Sequence, residues 1–203
     1  MKRLIASVLL LGLLVTVQAQ AAKPEAALEM VRDTAQQMLE ALEANKAELE
    51  QDTSRLYELV REIVLPHFDF TTIARWVMGR HWRTASAEQR QAFTEAFRTL
   101  LVRTYAKALL EYSDQTLVYQ PLQAPADTEE VTVRSEIRRS SGPAIPIHYE
   151  LHYRDGAWKV YDVAIDGVSL VTNYRSSLGS QIDREGIDSV IQRLRERNAE
   201  RGS

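Results

Sequence analysis

Apolar residues recur along this chain at two spacings, and the switch between them divides it into helical and sheet segments. From Pro24 to Glu50, Leu28, Val31, Ala35, Met38, Leu39 and Leu42 follow a three-four rhythm among Ala, Glu and Gln, which predicts an amphipathic helix. Asp52 to Ser54 offer caps for a second helix carrying Leu56, Leu59, Val60 and Ile63, which Pro66 ends. A short unit follows, with Asp69 as N-cap, Phe68 and Ile73 as a hydrophobic staple and Gly79 at the C-terminal stop. The strongest helix runs from Ser86 to Tyr112. It opens on the capping box Ser86-x-x-Gln89 and carries a stripe of Phe93, Phe97, Leu100, Leu101, Tyr105, Ala108, Leu109 and Tyr112. At about 1.5 Å per residue it is long enough to cover a whole sheet.

The period then becomes two. Leu117 to Tyr119 is a short strand. Val131, Val133, Ser135 and Ile137 alternate with polar residues, and so do Ile145, Ile147, Tyr149, Leu151 and Tyr153. Ser140-Ser141-Gly142-Pro143 and Asp155-Gly156 are turns, and Trp158 to Ile165 is a last strand. This predicts a meander with one apolar face and one wet, polar face. Past Asp166-Gly167 the spacing returns to helical, with Ser169 as N-cap. Ile187, Val190, Ile191 and Leu194 mark a final helix. The fold class expected is α+β: a small antiparallel sheet of about four strands covered by N-terminal and C-terminal helices.

Composition adds an address. Lys2 and Arg3, an apolar run from Leu4 to Val17 and the small-x-small Ala19-Gln20-Ala21 read as a cleaved signal peptide, residues 1–21, before one domain over residues 22–203. The run is shorter than the ~20 residues that span a bilayer. With no cysteine in the chain, lipid modification at the cleavage site and disulfides are excluded, and the periplasm is the expected location. Without the leader, 23 basic residues face 28 acidic ones, which leaves no basic footprint for nucleic acid.

Candidate chemistry thins out on inspection. His148 and His152 are four apart, but on a strand that is about 13 Å, too far to share one metal ion, so both are expected to be exposed strand residues. His67 and His81 stand alone between aromatic residues. Asp162 and Asp166 fit a strand and a turn better than an acid/base pair, and Ser169 lacks a base. No catalytic residues, metal or cofactor are therefore expected. The surplus apolar surface has another use. A sheet curving away from a long helix can leave an apolar cavity instead of a filled core, although patterning does not distinguish the two. Strand alternation and the helix stripe select Tyr105, Leu109, Ile137, Ile147, Tyr149, Leu151, Val163, Ile165, Val168 and Val171 as its walls.

One family carries this pattern. Trp158-Lys159-Val160-Tyr161-Asp162-Val163, Gly167-Val168-Ser169-Leu170-Val171 and Asn173-Tyr174-Arg175 resemble the C-terminal signature of the MlaC (toluene-tolerance) family of periplasmic phospholipid carriers. Phe68-Asp69-Phe70, Ala74-Arg75, Gly79, Trp82-Arg83, Glu88-Gln89-Arg90, Phe93, Phe97, Leu100-Leu101, Tyr105-Ala106 and Gly186-Ile187-Asp188 fall in the same order. The resemblance implies a monomeric, non-enzymatic shuttle for glycerophospholipid, its cargo rather than a cofactor. The partners it implies are an outer-membrane lipoprotein–porin complex and an inner-membrane ABC lipid transporter complex, and the role is to maintain outer-membrane lipid asymmetry. The acyl chains would lie in the apolar pocket between sheet and helices. An enzyme acting on an apolar substrate in the same cavity, and a non-binding interaction module, are the competing readings.

Overall fold

The computed structural model describes residues 23–49, 52, 54–111, 115–140 and 142–200. The expected leader and its cleavage site lie outside the described residues, as do Glu50 and Tyr112, the expected ends of two helices. Helix α1 (Pro24–Ala44) starts with proline at its first turn, where a missing N–H costs nothing. It stops at Asn45, whose side chain donates back to the Ala41 carbonyl. A single turn, α2 (Lys46–Leu49), follows. Helix α3 (Ser54–Leu59) is anchored by Asp52, which accepts from the Ser54 N–H at 2.7 Å, and it loosens into a π turn (Val60–Val64) before Pro66. Helix α4 (Phe70–Met78) is capped by Asp69, which accepts from Thr72 N–H at 2.9 Å. A short turn, α5 (His81–Thr84), leads to α6 (Ala87–Tyr105), which opens on both halves of the expected Ser86–Gln89 capping box. Its last expected turns, Ala106–Glu111, tighten into 3₁₀ geometry.

Five antiparallel strands follow in chain order: β1 (Thr116–Tyr119), β2 (Glu130–Arg138), β3 (Ile145–Arg154), β4 (Ala157–Ile165) and β5 (Val168–Ser169). The fold is thus α+β, with one strand more than the sequence pattern suggested. The addition is two residues long, too short for a period to show. It is created by the Asp166-Gly167 turn, where both residues have positive φ (51° and 78°), as a two-residue hairpin of the primed type requires. Helices α7 (Leu170–Glu185) and α8 (Ile187–Glu200) close the chain, α7 with the expected Ser169 cap on Thr172 N–H.

Three cores hold these layers. Helices α4, α6, α7 and α8 share one, around Phe93, Phe97, Val77, Met78 and Val190. A second lies between the first half of α1 (Ala27, Val31) and the sheet (Val131, Val133, Leu151, Trp158, Val160). The third joins the second half of α1 to α3, the π turn and the end of α6, around Met38, Leu56, Leu59 and Ala106. Helix α1, rather than α6, therefore supplies the direct cover of the sheet. The stripe on α6 is spent on other helices.

The expected wet face of the sheet needs the same kind of correction. His152 is only 3% exposed. Its Nε2 lies 3.2 Å from Asp69 Oδ2, and its ring lies against that of Tyr161. The cause is a bulge: between β3 and β4, Glu150 pairs with Asp162 but Leu151 with Val160, so Tyr161 is extra. The extra residue joins the helical core, where its ring meets Trp76 and covers His152.

Candidate functional site

Residues paired across an antiparallel ladder share a face, so the register defines the apolar wall without appeal to shape. Val131 pairs with Leu151, Val133 with Tyr149, Ser135 with Ile147 and Ile137 with Ile145. On the next strand Leu151 meets Val160, Tyr149 meets Val163, Ile147 meets Ile165, and Ile165 meets Val168 of β5. The register therefore brings together Ile137, Ile147, Tyr149, Leu151, Val163, Ile165 and Val168 of the ten expected wall residues. The bulge puts Trp158 and Val160 on the same face, which plain alternation does not predict.

Burial grades along this face. Under α1, Val131, Val133, Leu151 and Val160 are at most 6% exposed and the packing is solid. Toward the other end Ile137, Ile145, Ile147, Val163 and Ile165 are only partly buried, and Val168 at the rim is 55% exposed. Other partly buried apolar side chains, Ile63, Val64 and Leu65 after α3, Val102 of α6 and Leu109 beyond it, pack on the third core.

Tyr149 sits where the two regimes meet. Protein crowds it closely enough that loss of water pushes its phenol pKa up, opposed by a hydrogen bond with Ser135. Ser135 is 1% exposed. Yet Tyr149 retains accessible surface. Part of it is left uncovered by the chain's own packing, at the edge of the solid core under α1. Ser135 pairs with Tyr119 of β1 on one side and Ile147 of β3 on the other, and beyond these hydroxyls the wall is Ile, Val and Leu.

The remaining expected wall residues go elsewhere. Val171 is 5% exposed inside the helical core. Leu109 belongs to the third core. Tyr105 lies beside Tyr174 of α7, and burial together with that neighbour pushes its phenol up to about 12.

The hinge from β4 to α7 is held by one carboxylate. Asp162 accepts from its neighbour Val163 N–H at 2.8 Å, from Val171 N–H at 3.1 Å and from Ser169 Oγ at 2.5 Å. A carboxylate committed to three donors is a structural clasp, which accounts for Asp162 and Ser169 without chemistry. Asp69 plays a similar part at the start of α4. Burial opposes its ionisation, but two hydrogen bonds from Thr72 and the nearby His152 and Arg75 together hold its carboxyl below the usual value. Burial holds the His152 imidazole below its ordinary value in spite of Asp69. Among the described residues no group of three or more His, Cys, Asp or Glu is placed to hold a metal ion, and no helix is long and apolar enough to cross a membrane.

Known proteins share this arrangement. The solved phospholipid-binding protein from Ralstonia solanacearum, determined in complex with a phospholipid, superposes with a TM-score of 0.80 at 31% identity, covering 90% of this chain and 100% of that one. The intermembrane phospholipid transport system binding protein MlaC of Haemophilus influenzae is 29% identical over 171 residues, 82% of this chain and 79% of that protein. The toluene tolerance protein ttg2D of Pseudomonas putida is 30% identical over 161 residues, 79% of this chain and 74% of that protein. The model of the MlaC protein family matches residues 32–196. With most of its length matched by that model, the chain belongs to the MlaC family.

Proposed function

We propose that this protein is an exported, soluble phospholipid carrier. It holds the acyl chains of a glycerophospholipid against the half-covered end of the sheet's apolar face. Ile137, Ile147, Tyr149, Val163 and Ile165 form the wall, Val168 the rim, and Leu151 is a packed support at its closed end. One observation carries the reading: the apolar face that is fully packed at Val133, Leu151 and Val160 is only partly buried at Ile137, Ile147, Val163 and Ile165, which leaves aliphatic surface for acyl chains to cover. The phospholipid seen with the Ralstonia solanacearum protein supports it.

The energetics suit carriage. Each methylene hidden from water contributes about 0.8 kcal/mol, so two acyl chains are held firmly without a specific polar contact. Spontaneous release is then slow, and unloading needs a docked partner that loosens the pocket or offers a second apolar site. We place those partners at the two membranes, an outer-membrane lipoprotein–porin complex and an inner-membrane ABC transporter, with the signal peptide directing the chain to the periplasm between them. No catalytic step is assigned.

Organic extraction of natively purified protein, followed by mass spectrometry, tests the reading. Intact phospholipid near one molecule per chain is expected, and delipidated protein should reload from vesicles. Protein that carries no lipid and takes none up would refute it. A lysophospholipid or free fatty acid accumulating on long incubation would favour an enzyme.

A further inference from the structure

The helical layer carries a concavity that shares no residue with the sheet or with α1. It has a volume of about 540 Å³ and is lined by Arg75 and Trp76 of α4, Gly79 and Arg80 after it, Arg83 of α5 and Arg175 of α7. Four guanidinium groups around one cavity do not follow from composition, because the chain as a whole carries net charge −3. Internal acids answer only part of that charge. Arg80 pairs with Asp183, which also lies 3.3 Å from His81 Nε2. Arg75 feels Asp69 at a distance. Arg83 and Arg175 make no ion pair among the described residues.

Two features make the cavity a built surface. Gly79 lets Arg175 lie close against the backbone: a Cβ at that position would stand 3.3 Å from Arg175 Nε. The guanidinium is thereby positioned without a carboxylate to hold it. Trp76 is 43% exposed at the rim, one of few large apolar side chains so placed, while its ring rests on Tyr161. Exposed tryptophan beside arginine is the composition that dominates binding energy at protein interfaces.

We propose that this cavity is a docking site for an acidic segment of a partner protein, its carboxylates meeting Arg75, Arg83 and Arg175 and an apolar side chain meeting Trp76. Charge complementarity selects the occupant. Guanidinium forks match carboxylates bidentately. A flat anionic bilayer fits less well, because the guanidinium groups line a concave site. Because the cavity lies apart from the sheet, a partner can dock there while the lipid site stays filled.

The test uses a short fluorescein-labelled peptide of alternating Glu and Leu, its Gln-for-Glu counterpart, and phosphatidylglycerol vesicles, each titrated with lipid-loaded protein. The acidic peptide should bind, more weakly as salt rises, and the Gln peptide should not. R75E/R175E should weaken binding about tenfold or more, and R83E should weaken it in the same direction. A control with the same charge change at exposed positions elsewhere, K107E/R195E, should leave it unchanged. Phospholipid content should be the same in all variants, which separates this result from the carrier reading. Absence of peptide binding, equal binding by R75E/R175E and the control, or binding to vesicles but not peptide would each overturn the proposal.

Discussion

Leu151 and Ile147 lie four residues apart on one strand and point to the same face, which permits a comparison that isolates the lipid. Leu151 is fully buried under α1. Truncation to alanine there leaves a cavity in a packed core and should cost about 3 kcal/mol, whether or not phospholipid is bound. Ile147 is only partly buried in the free protein. Ile147→Ala removes three carbons, each worth about 0.8 kcal/mol when covered, so partial cover implies a cost of about 1 kcal/mol without lipid. If acyl chains supply the missing cover, the same change also weakens lipid binding. The cost in lipid-loaded protein should then rise to about 2 kcal/mol, because a ligand that binds only the folded state adds its affinity to stability. Urea unfolding of delipidated and reloaded protein, followed by circular dichroism, measures all four values. Equal costs for Ile147→Ala in both states would mean that no lipid touches this wall, and the reasoning fails.

Four further outcomes follow from the same geometry. Ile147→Asp or Tyr149→Asp should strip phospholipid from purified protein, read by extraction and mass spectrometry, since an unpaired charge is costly in an apolar cavity. Asp162→Ala should cost about 3 kcal/mol in urea unfolding, because it orphans the Val163 and Val171 N–H groups and removes the Ser169 bond at the β4–α7 hinge. Ser86→Ala should cost about 1 kcal/mol by the same assay through loss of the α6 cap. His152 has a folded pKa below its unfolded value of 6.5, so the unfolded chain takes up the proton first. Its contribution to stability is present above pH 6.5 and is lost as pH falls below it; His152→Gln should flatten urea midpoints measured from pH 7.5 to 5.

The sequence made much of this legible because local rules and global fold agree. Ser86-x-x-Gln89 and Asp69 are caps whose partners lie three residues away, so no tertiary knowledge is needed to read them. Strand alternation placed Ile137, Ile147, Tyr149, Leu151, Val163 and Ile165 on one face, and the ladder registers put them there. The failures arise where a single residue resets a period. The bulge at Tyr161 moves Trp158 and Val160 onto the apolar face and sends Tyr161 to the helices, with His152 buried beneath it. An inserted residue leaves no trace in composition. Val171 has the right spacing for the wall, but β5 and the Asp162 clasp turn α7 so that it enters the helical core. Which helix covers the sheet was also hidden, since α1 and α6 both carry apolar stripes and only tertiary packing assigns them. Hollow and filled interiors share one hydrophobic pattern; the distinction needs the graded exposure from Leu151 to Ile147.

The central claim is that acyl chains occupy the open end of the sheet's apolar face, and photo-crosslinking reads that position directly. Protein reloaded with a phospholipid bearing a diazirine near its acyl terminus would be irradiated, digested and sequenced by mass spectrometry. The account predicts adducts on β2–β4, at residues such as Ile137, Ile147, Tyr149, Val163 and Ile165. Adducts confined to the outer helices around Trp76, or none on the sheet, would contradict it.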